Sequence, residues 1–157
     1  MSVESVKEYL KPYGKVDAVQ EFDVSSATVE LAAQALGVEP ARIAKTISLK
    51  DEEGCILVVA AGDAKIDNSK FKAEFHMKAK MLAPEETVAL TGHAIGGICP
   101  FDNPAGARAY LDVSLKRFET VFPACGSSNS AIELTCEELE RCSRSLRWVD
   151  VCKNWNE

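Results

Sequence analysis

The hydrophobic pattern predicts a helix at the N-terminus and four more along the chain. Val3, Val6 and Leu10 fall on one face of a helix that ends at Pro12 and Gly14. Each later helix has a recognisable first or last residue. The second helix is TVELAAQALGV, which follows a Ser25-Ser26 cap and ends at Gly37, with Leu31, Ala32, Ala35 and Leu36 as its apolar stripe. The third is KFKAEF, capped by Asp67, Asn68 or Ser69, and the fourth is PEETVAL, between Pro84 and Gly92. The fifth runs through Cys142 and begins with a capping box of Thr135 and Glu138.

Alternating and β-branched runs predict strands between these helices. The clearest element is a hairpin over KTISLKDEEGCILVVAAG, where two apolar runs flank an acidic turn that ends in glycine. Helices and strands follow one another irregularly, so the order favours an α+β domain with a mixed sheet wrapped by helices over a doubly wound parallel sheet. The other predicted strands are DAVQEFDV, RAYLD, ETVFPA, AIEL and LRWVDV.

Length and composition place these elements in one domain. The 157 residues can bury one core but are too few for two full domains, so residues 1–157 are predicted to form a single unit. No apolar run approaches the roughly 18 residues of a membrane helix, and no membrane partner is expected. The N-terminal residues carry charges where an export signal needs an apolar stretch, which predicts a cytoplasmic location.

The charge of the chain limits its nucleic-acid partners. A net charge of −6 argues against nonspecific coating of nucleic acid, and DNA is not an expected partner. Residues 65–80 are a local exception, with five lysines against two acidic residues. This stretch is either a solvated helix surface or a face that meets the end of a polyanion.

Six cysteines and two histidines restrict the available chemistry. No two cysteines form a C-x-x-C pair, so we expect reduced, mostly buried thiols, with no metal and no cofactor. A metal site at the C-terminal Cys136, Cys142 and Cys152 is the alternative. With only His76 and His93, and no serine in a G-x-S-x-G turn, a Ser-His-Asp hydrolase has little material, and His93 is expected to be structural.

Three connections have features of a binding site: ARIAKTISL around Lys45, GHAIGGICP, and ACGSSNSAIEL. Loops that meet over one end of a sheet commonly hold ligands. Lys45 precedes an apolar run, where its ammonium either reaches solvent or points into a pocket. Glycines and Pro100 suit the second loop to present backbone N–H groups to a bound group, although an ordinary surface connection has the same composition.

Together and in this order, AAQALGVEPARIAKTI, AAGDAKID, GGICP and PACGSSNSAIEL resemble the YbaK family. That family includes free-standing aminoacyl-tRNA deacylases and the editing insertion domain of bacterial prolyl-tRNA synthetases. Each motif is common alone, but their joint order spans residues 19–139. The resemblance implies a mixed, mostly antiparallel, barrel-like sheet wrapped by helices. It also implies trans-editing, the hydrolysis of the ester between a wrong amino acid and the terminal adenosine of a tRNA.

The resemblance makes Lys45 and the loop from Gly96 to Pro100 the catalytic centre. It puts the Lys45 ammonium on the terminal nucleotide or the ester, and the amides of Gly96 and Gly97 toward the aminoacyl carbonyl. The nucleophile that it implies is water helped by the substrate's ribose hydroxyl, or the thiol of a cysteinyl substrate. Further residues expected to contact the substrate are Phe22, Thr46, Ile98, Cys99, Gly126, Ser127, Ser128 and Asn129.

The partner implied by the resemblance is a tRNA acceptor end, with an aminoacyl-tRNA synthetase as a candidate second partner. Lys65, Lys70 and Lys72 would lie along the acceptor stem. The implied tRNA is that for proline, carrying alanine or cysteine. Relatives that act on cysteinyl-tRNA carry an acidic residue just before the strand IEL, where this chain has Ser130-Ala131, and this departure brings cysteine preference into question.

Two other functional classes stay open at this point. A non-catalytic module of the same fold could bind tRNA or a nucleotide without turnover. Alternatively, Cys99 could be the nucleophile of a hydrolase for small esters or thioesters. That last hypothesis predicts that alkylation of Cys99 abolishes activity and that activity survives Lys45→Ala.

Overall fold

The computed structural model describes residues 3–52, 54–94 and 96–155 of the chain. Its helices are α1 (Val3–Leu10), α2 (Val29–Leu36), α3 (Asn68–Phe75), α4 (Pro84–Thr91) and α5 (Cys136–Ser143). Its strands are β1 (Val19–Glu21), β2 (Ile43–Asp51), β3 (Gly54–Ala61), β4 (Lys65–Ile66), β5 (Ala107–Asp112), β6 (Thr120–Pro123), β7 (Ser130–Ile132), β8 (Leu134–Thr135), β9 (Trp148–Val149) and β10 (Cys152–Lys153).

The centre of the fold is a curled, half-barrel sheet of six strands in the order β8-β6-β2-β3-β5-β9. The predicted hairpin is its middle, because β2 and β3 pair antiparallel from Ala44↔Ala61 to Asp51↔Gly54. Strands β6, β5 and β9 add in parallel, and β8 adds antiparallel. Two small antiparallel pairs, β1-β7 and β4-β10, complete a mixed sheet in which antiparallel pairing predominates among the described residues. The predicted α+β class is confirmed.

Most predicted helix ends are confirmed, because they depend on local hydrogen bonds. Asp67 caps α3, Thr135 and Glu138 form the capping box of α5, and Gly37 ends α2 with φ of 70°. The predicted cap of α2 is wrong. Thr28, and not Ser25-Ser26, accepts the Leu31 amide at 3.2 Å.

Three details of the pattern are wrong for tertiary reasons. Leu31, assigned to the apolar stripe of α2, is 39% exposed, whereas Ala33 is buried, so the helix turns a different face to the core. The run AIEL is divided between two strands because β7 pairs with β1 and β8 pairs with β6. LRWVDV likewise contains only the short strand β9.

The main core lies between the curled sheet and helices α1, α3 and α5, with Leu10, Phe71 and Leu139 among its fully buried side chains. A separate small cluster on the other side of β3 contains Cys55 and Leu57. Helix α2 packs on β2 and β6 in a third cluster. In the described residues no helix is long and apolar enough to cross a membrane.

Candidate active site

A cavity of about 270 Å³ runs along β2, where several connections converge. One wall is β2 itself, from Ile43 to Ser48. The other walls come from the segment 26–29, the residues Met81 and Leu82, the loop residues Gly96 and Ile98, and the pair Ser130 and Ala131. The three connections singled out by the sequence therefore do meet at one place.

Lys45 lies in the cavity wall, at the start of β2. Its ammonium donates to the carbonyl oxygens of Ala64 and, at 3.4 Å, of Gly62. The side chain is half-buried, and this loss of solvation lowers the pKa of Lys45 from its usual 10.5. Because an ammonium has three N–H donors, the two carbonyls leave one for a ligand.

Thr46 adds an unsatisfied polar group to the same wall. Its Oγ1 is buried and has no hydrogen-bond partner among the described residues. A buried hydroxyl without a partner costs about 1–3 kcal/mol. A ligand in the cavity could supply that partner.

The glycine loop and the turn after Cys125 pack directly against each other. A Cβ on Gly97 would lie 3.0 Å from the carbonyl of Gly126, and one on Gly96 would lie 3.1 Å from Cβ of Ala27. Gly96 and Gly126 also have positive φ of 92° and 90°, where glycine is favoured. The glycines thus allow two loops to form one continuous wall.

One expected role within this loop is not observed. The Gly97 amide, expected to face the aminoacyl carbonyl, instead donates to the carbonyl oxygen of Ala94 at 2.9 Å. Pro100 lies outside the cavity wall and contributes to a second depression beside Asn103 and Arg144.

The polar groups of the turn at 126–129 form hydrogen bonds within the protein that stabilise the cavity wall. Phe22 and Asn129 are joined by two hydrogen bonds, from the Phe22 amide at 2.8 Å and from Asn129 Nδ2 at 3.0 Å. The Ser127 hydroxyl donates to Ser130 Oγ at 2.7 Å, and the Ser128 carbonyl accepts the Ser26 amide at 2.6 Å.

The candidate residues therefore divide into two groups. Lys45, Thr46, Gly96 and Ile98 line the cavity. The others form its support and are not among the lining residues: Phe22, Gly97, Cys99, Pro100, Gly126, Ser127, Ser128 and Asn129.

Sequence reasoning missed Ser48 and Thr87, which also line the cavity. Their hydroxyl oxygens are 3.3 Å apart and buried. The available signal was the alternation within TIS, which puts Thr46 and Ser48 on the same face of β2.

Behind the glycine loop lies a buried thiol–imidazole cluster, formed by His93, Cys99 and the Phe101 carbonyl. Cys99 Sγ is 3.7 Å from both His93 Nε2 and the Phe101 oxygen. A carbonyl oxygen only accepts, so His93 Nε2 carries the proton that it donates to Phe101 at 2.9 Å. Both side chains are fully buried and belong to the packed interior, as expected for His93.

The protonation of this cluster argues against a cysteine nucleophile. Burial raises the pKa of the Cys99 thiol to about 12, and burial also lowers the pKa of His93. Both groups are therefore neutral near pH 7, and the thiolate–imidazolium pair of a cysteine hydrolase does not form.

The three lysines assigned to the acceptor stem differ in their surroundings. Lys70 is tied to Asp150 at 3.1 Å and to the carbonyl of Cys152. Lys65 and Lys72 are exposed. Lys65 directly follows Ala64, whose carbonyl oxygen accepts a hydrogen bond from the Lys45 ammonium.

The cysteines are all free thiols. Within residues 3–52, 54–94 and 96–155, no group of three or more His, Cys, Asp or Glu side chains is arranged to hold a metal ion.

Comparison with known proteins identifies the class. The model of the aminoacyl-tRNA editing domain family matches residues 23–142, most of the chain, and the protein belongs to this family. The resemblance based on the four motifs is confirmed.

The similarity to individual relatives covers most of the chain. The Bacillus subtilis protein named Uncharacterized protein YwhH is 55% identical over 99% of both chains. The Enterococcus faecalis protein EbsC, whose name assigns it provisionally as a Cys-tRNA(Pro)/Cys-tRNA(Cys) deacylase, is 28% identical over 85% of this chain and 82% of its own. A crystal structure described as a candidate trans-editing enzyme for prolyl-tRNA synthetase superposes with a TM-score of 0.86, at 29% identity and 96% coverage of both chains.

The family likeness also reaches a synthetase. The proline–tRNA ligase of Thermotoga maritima is 36% identical over 76 residues, which are 46% of this chain and 13% of the ligase.

Proposed function

We propose that this protein is a trans-editing deacylase that hydrolyses the ester of mischarged aminoacyl-tRNA, with alanine or cysteine on proline tRNA as its substrate. The observation that carries the proposal is the pairing, in one cavity, of the half-buried Lys45 ammonium with the unsatisfied Thr46 hydroxyl, in a member of the editing family. The names of EbsC and of the trans-editing neighbour support the choice of substrate class.

The chemistry requires little from the protein. An aminoacyl ester is already activated, so positioning and hydrogen bonds to the developing oxyanion can provide most of the acceleration. Lys45 would donate its remaining N–H to the ester or the ribose. Water, assisted by the ribose hydroxyl of the substrate, would attack the carbonyl carbon, and the 3′-oxygen would leave with a proton.

The lining of the cavity favours a small, uncharged side chain. Ile98, Leu82 and Ala131 contribute apolar surface, and Ser130 adds an uncharged hydroxyl. Alanine is therefore the first substrate to test, although one methyl group is worth only about 1–3 kcal/mol of discrimination.

The decisive experiment is deacylation of alanyl-, cysteinyl-, seryl- and prolyl-tRNA, all made on proline tRNA, by the wild type and by Lys45→Ala. Rapid loss of one noncognate ester that is abolished by Lys45→Ala would establish editing and identify the amino acid. Lys50→Ala is the matched control, because Lys50 is exposed near the other end of β2 and pairs with Glu86. No turnover by folded protein that still binds tRNA would favour the non-catalytic binding module instead.

We further propose that Lys65 and Lys72 contact the acceptor stem. Both are exposed, whereas the Lys70 ammonium already has two acceptors. Removing one lysine that neutralises a phosphate should reduce the slope of log K against log salt by about 1. Lys65→Ala and Lys72→Ala should do so in tRNA-binding titrations. Lys11→Ala, an exposed lysine directly after α1 that pairs with Glu8, should leave the slope unchanged.

A further inference from the structure

The edge of β2 that faces the cavity is incompletely paired. Along one side β2 is bonded to β3 over its length. Along the other side, β6 pairs only with Ile43 and Ala44. The segment 80–82 bonds to this side of β2 only from Ser48 onward. The Leu82 amide donates to the Ser48 carbonyl oxygen at 3.3 Å, and the Lys50 amide donates to the Lys80 carbonyl oxygen at 2.8 Å. Among the described residues, Thr46 has no strand partner on this side.

The directions of the Thr46 backbone groups follow from those two bonds. In an antiparallel pair, the N–H and C=O of one residue point to the same edge of the strand, and those of the next residue point to the opposite edge. The Ser48 oxygen and the Lys50 amide point away from β3, so the N–H and C=O of Thr46 point the same way. That edge is a wall of the cavity, and the unpaired Thr46 Oγ1 belongs to the same residue. Thr46 is partly buried, and main-chain groups that are shielded from water normally find partners, which makes this gap a candidate site for a ligand.

We infer that the aminoacyl residue of the substrate occupies this gap as a one-residue antiparallel strand paired with Thr46. Its α-ammonium donates to the Thr46 carbonyl, and its ester carbonyl accepts from the Thr46 amide. This inference rests on the proposed function and specifies how the substrate is held. Strand addition to an open edge is a recurrent way of binding extended segments.

Two consequences follow from this pairing. The main chain recognises the ammonium and carbonyl that every aminoacyl ester shares, and selection of the side chain is left to the apolar lining around Ile98. The Thr46 amide also supplies a donor to the ester carbonyl. The Gly97 amide, in contrast, is bonded to the carbonyl oxygen of Ala94.

The test uses stable amide analogues of the substrate end. We would titrate the ¹⁵N-labelled full chain with 3′-deoxy-3′-(L-alanylamino)adenosine and with its propionyl counterpart, which lacks the ammonium. The alanyl compound should bind at least about tenfold more tightly, because the propionyl compound cannot form the hydrogen bond from a charged group. The Thr46 amide proton should shift downfield on binding. Equal affinities, no binding of either compound, or an unperturbed Thr46 amide would overturn the inference.

Thr46→Val separates the main chain from the side chain. This variant keeps the N–H and C=O of residue 46 and removes only the hydroxyl, so the preference for the alanyl compound should persist. Loss of the preference in Thr46→Val would show that the hydroxyl binds the ammonium, and the inference would be wrong. The deacylation panel tests the proposed function independently: turnover there without the alanyl preference would refute the strand pairing alone, and a preference without turnover would refute the deacylase alone.

Discussion

The cavity along β2 and the thiol–imidazole cluster behind the glycine loop lie on either side of the same loop, yet they have opposite chemical character. The cluster contains the residue types associated with catalysis, but Cys99 and His93 are fully buried and do not line the cavity. His93 Nε2 is bonded to Phe101, and His93 Nδ1 has no partner among the described residues. The cavity contains few conspicuous residue types, but it has a partly desolvated ammonium and an unsatisfied hydroxyl. Unsatisfied polar groups beside empty space indicate the site better than reactive residue types do.

The largest expected effect is on the rate of deacylation. Lys45→Ala should lower the rate by about 100-fold or more, the typical cost of removing one donor to a developing oxyanion. The fold-loss in rate caused by Cys99→Ala should be at least ten times smaller than that caused by Lys45→Ala, because the thiol does not line the cavity. Single-turnover rates on the preferred ester measure both, and a larger loss in Cys99→Ala would reverse the comparison.

In their effect on the free energy of unfolding, the same two variants should rank in the opposite order. Cys99→Ala should lower the free energy of unfolding by about 1–2 kcal/mol, because it leaves a small void in a fully packed region. Lys45→Ala should change it less, since the lowered pKa shows that the folded protein disfavours this ammonium. Urea denaturation provides the measurement, and equal losses would indicate that Lys45 is as structural as Cys99.

The cluster should also make stability depend on pH. The folded pKa of His93 lies below its usual 6.5, so the unfolded chain binds more protons. The contribution of His93 to the free energy of unfolding is fully present above pH 6.5. It is lost as the pH falls from 6.5 toward the folded pKa, with a slope of at most about 1.4 kcal/mol per pH unit. Denaturation between pH 5 and 7 should show this decline in the wild type and in the exposed control His76→Gln, but not in His93→Gln.

The smallest expected effect is on thiol modification. With a pKa of about 12, roughly one Cys99 in ten thousand is a thiolate at pH 8. Iodoacetamide should therefore leave Cys99 of the folded protein unmodified and the deacylation rate unchanged, whereas the partly exposed Cys136 provides a reference thiol. Peptide mapping by mass spectrometry would detect rapid labelling of Cys99, which would contradict the buried geometry.

Much of the local structure could be predicted from the sequence. The hairpin of β2 and β3 and the caps at Asp67 and Thr135 depend on neighbours a few residues away. The motifs around Lys45 and Gly96 also pointed to the cavity, because both residues line it. Errors arose where two neighbouring candidates could serve equally well, as with Ser26 and Thr28 at the start of α2.

The helices, the central hairpin and the family follow from the residue order alone, because short-range hydrogen bonds and an ordered set of motifs are properties of the chain. Which groups face the cavity depends instead on how distant segments pack. The burial of Cys99 and the internal bond of the Gly97 amide depend on segments that meet in space. The open edge at Thr46 depends on where β6 stops and the segment 80–82 begins, and such long-range pairing leaves no mark on the residue itself.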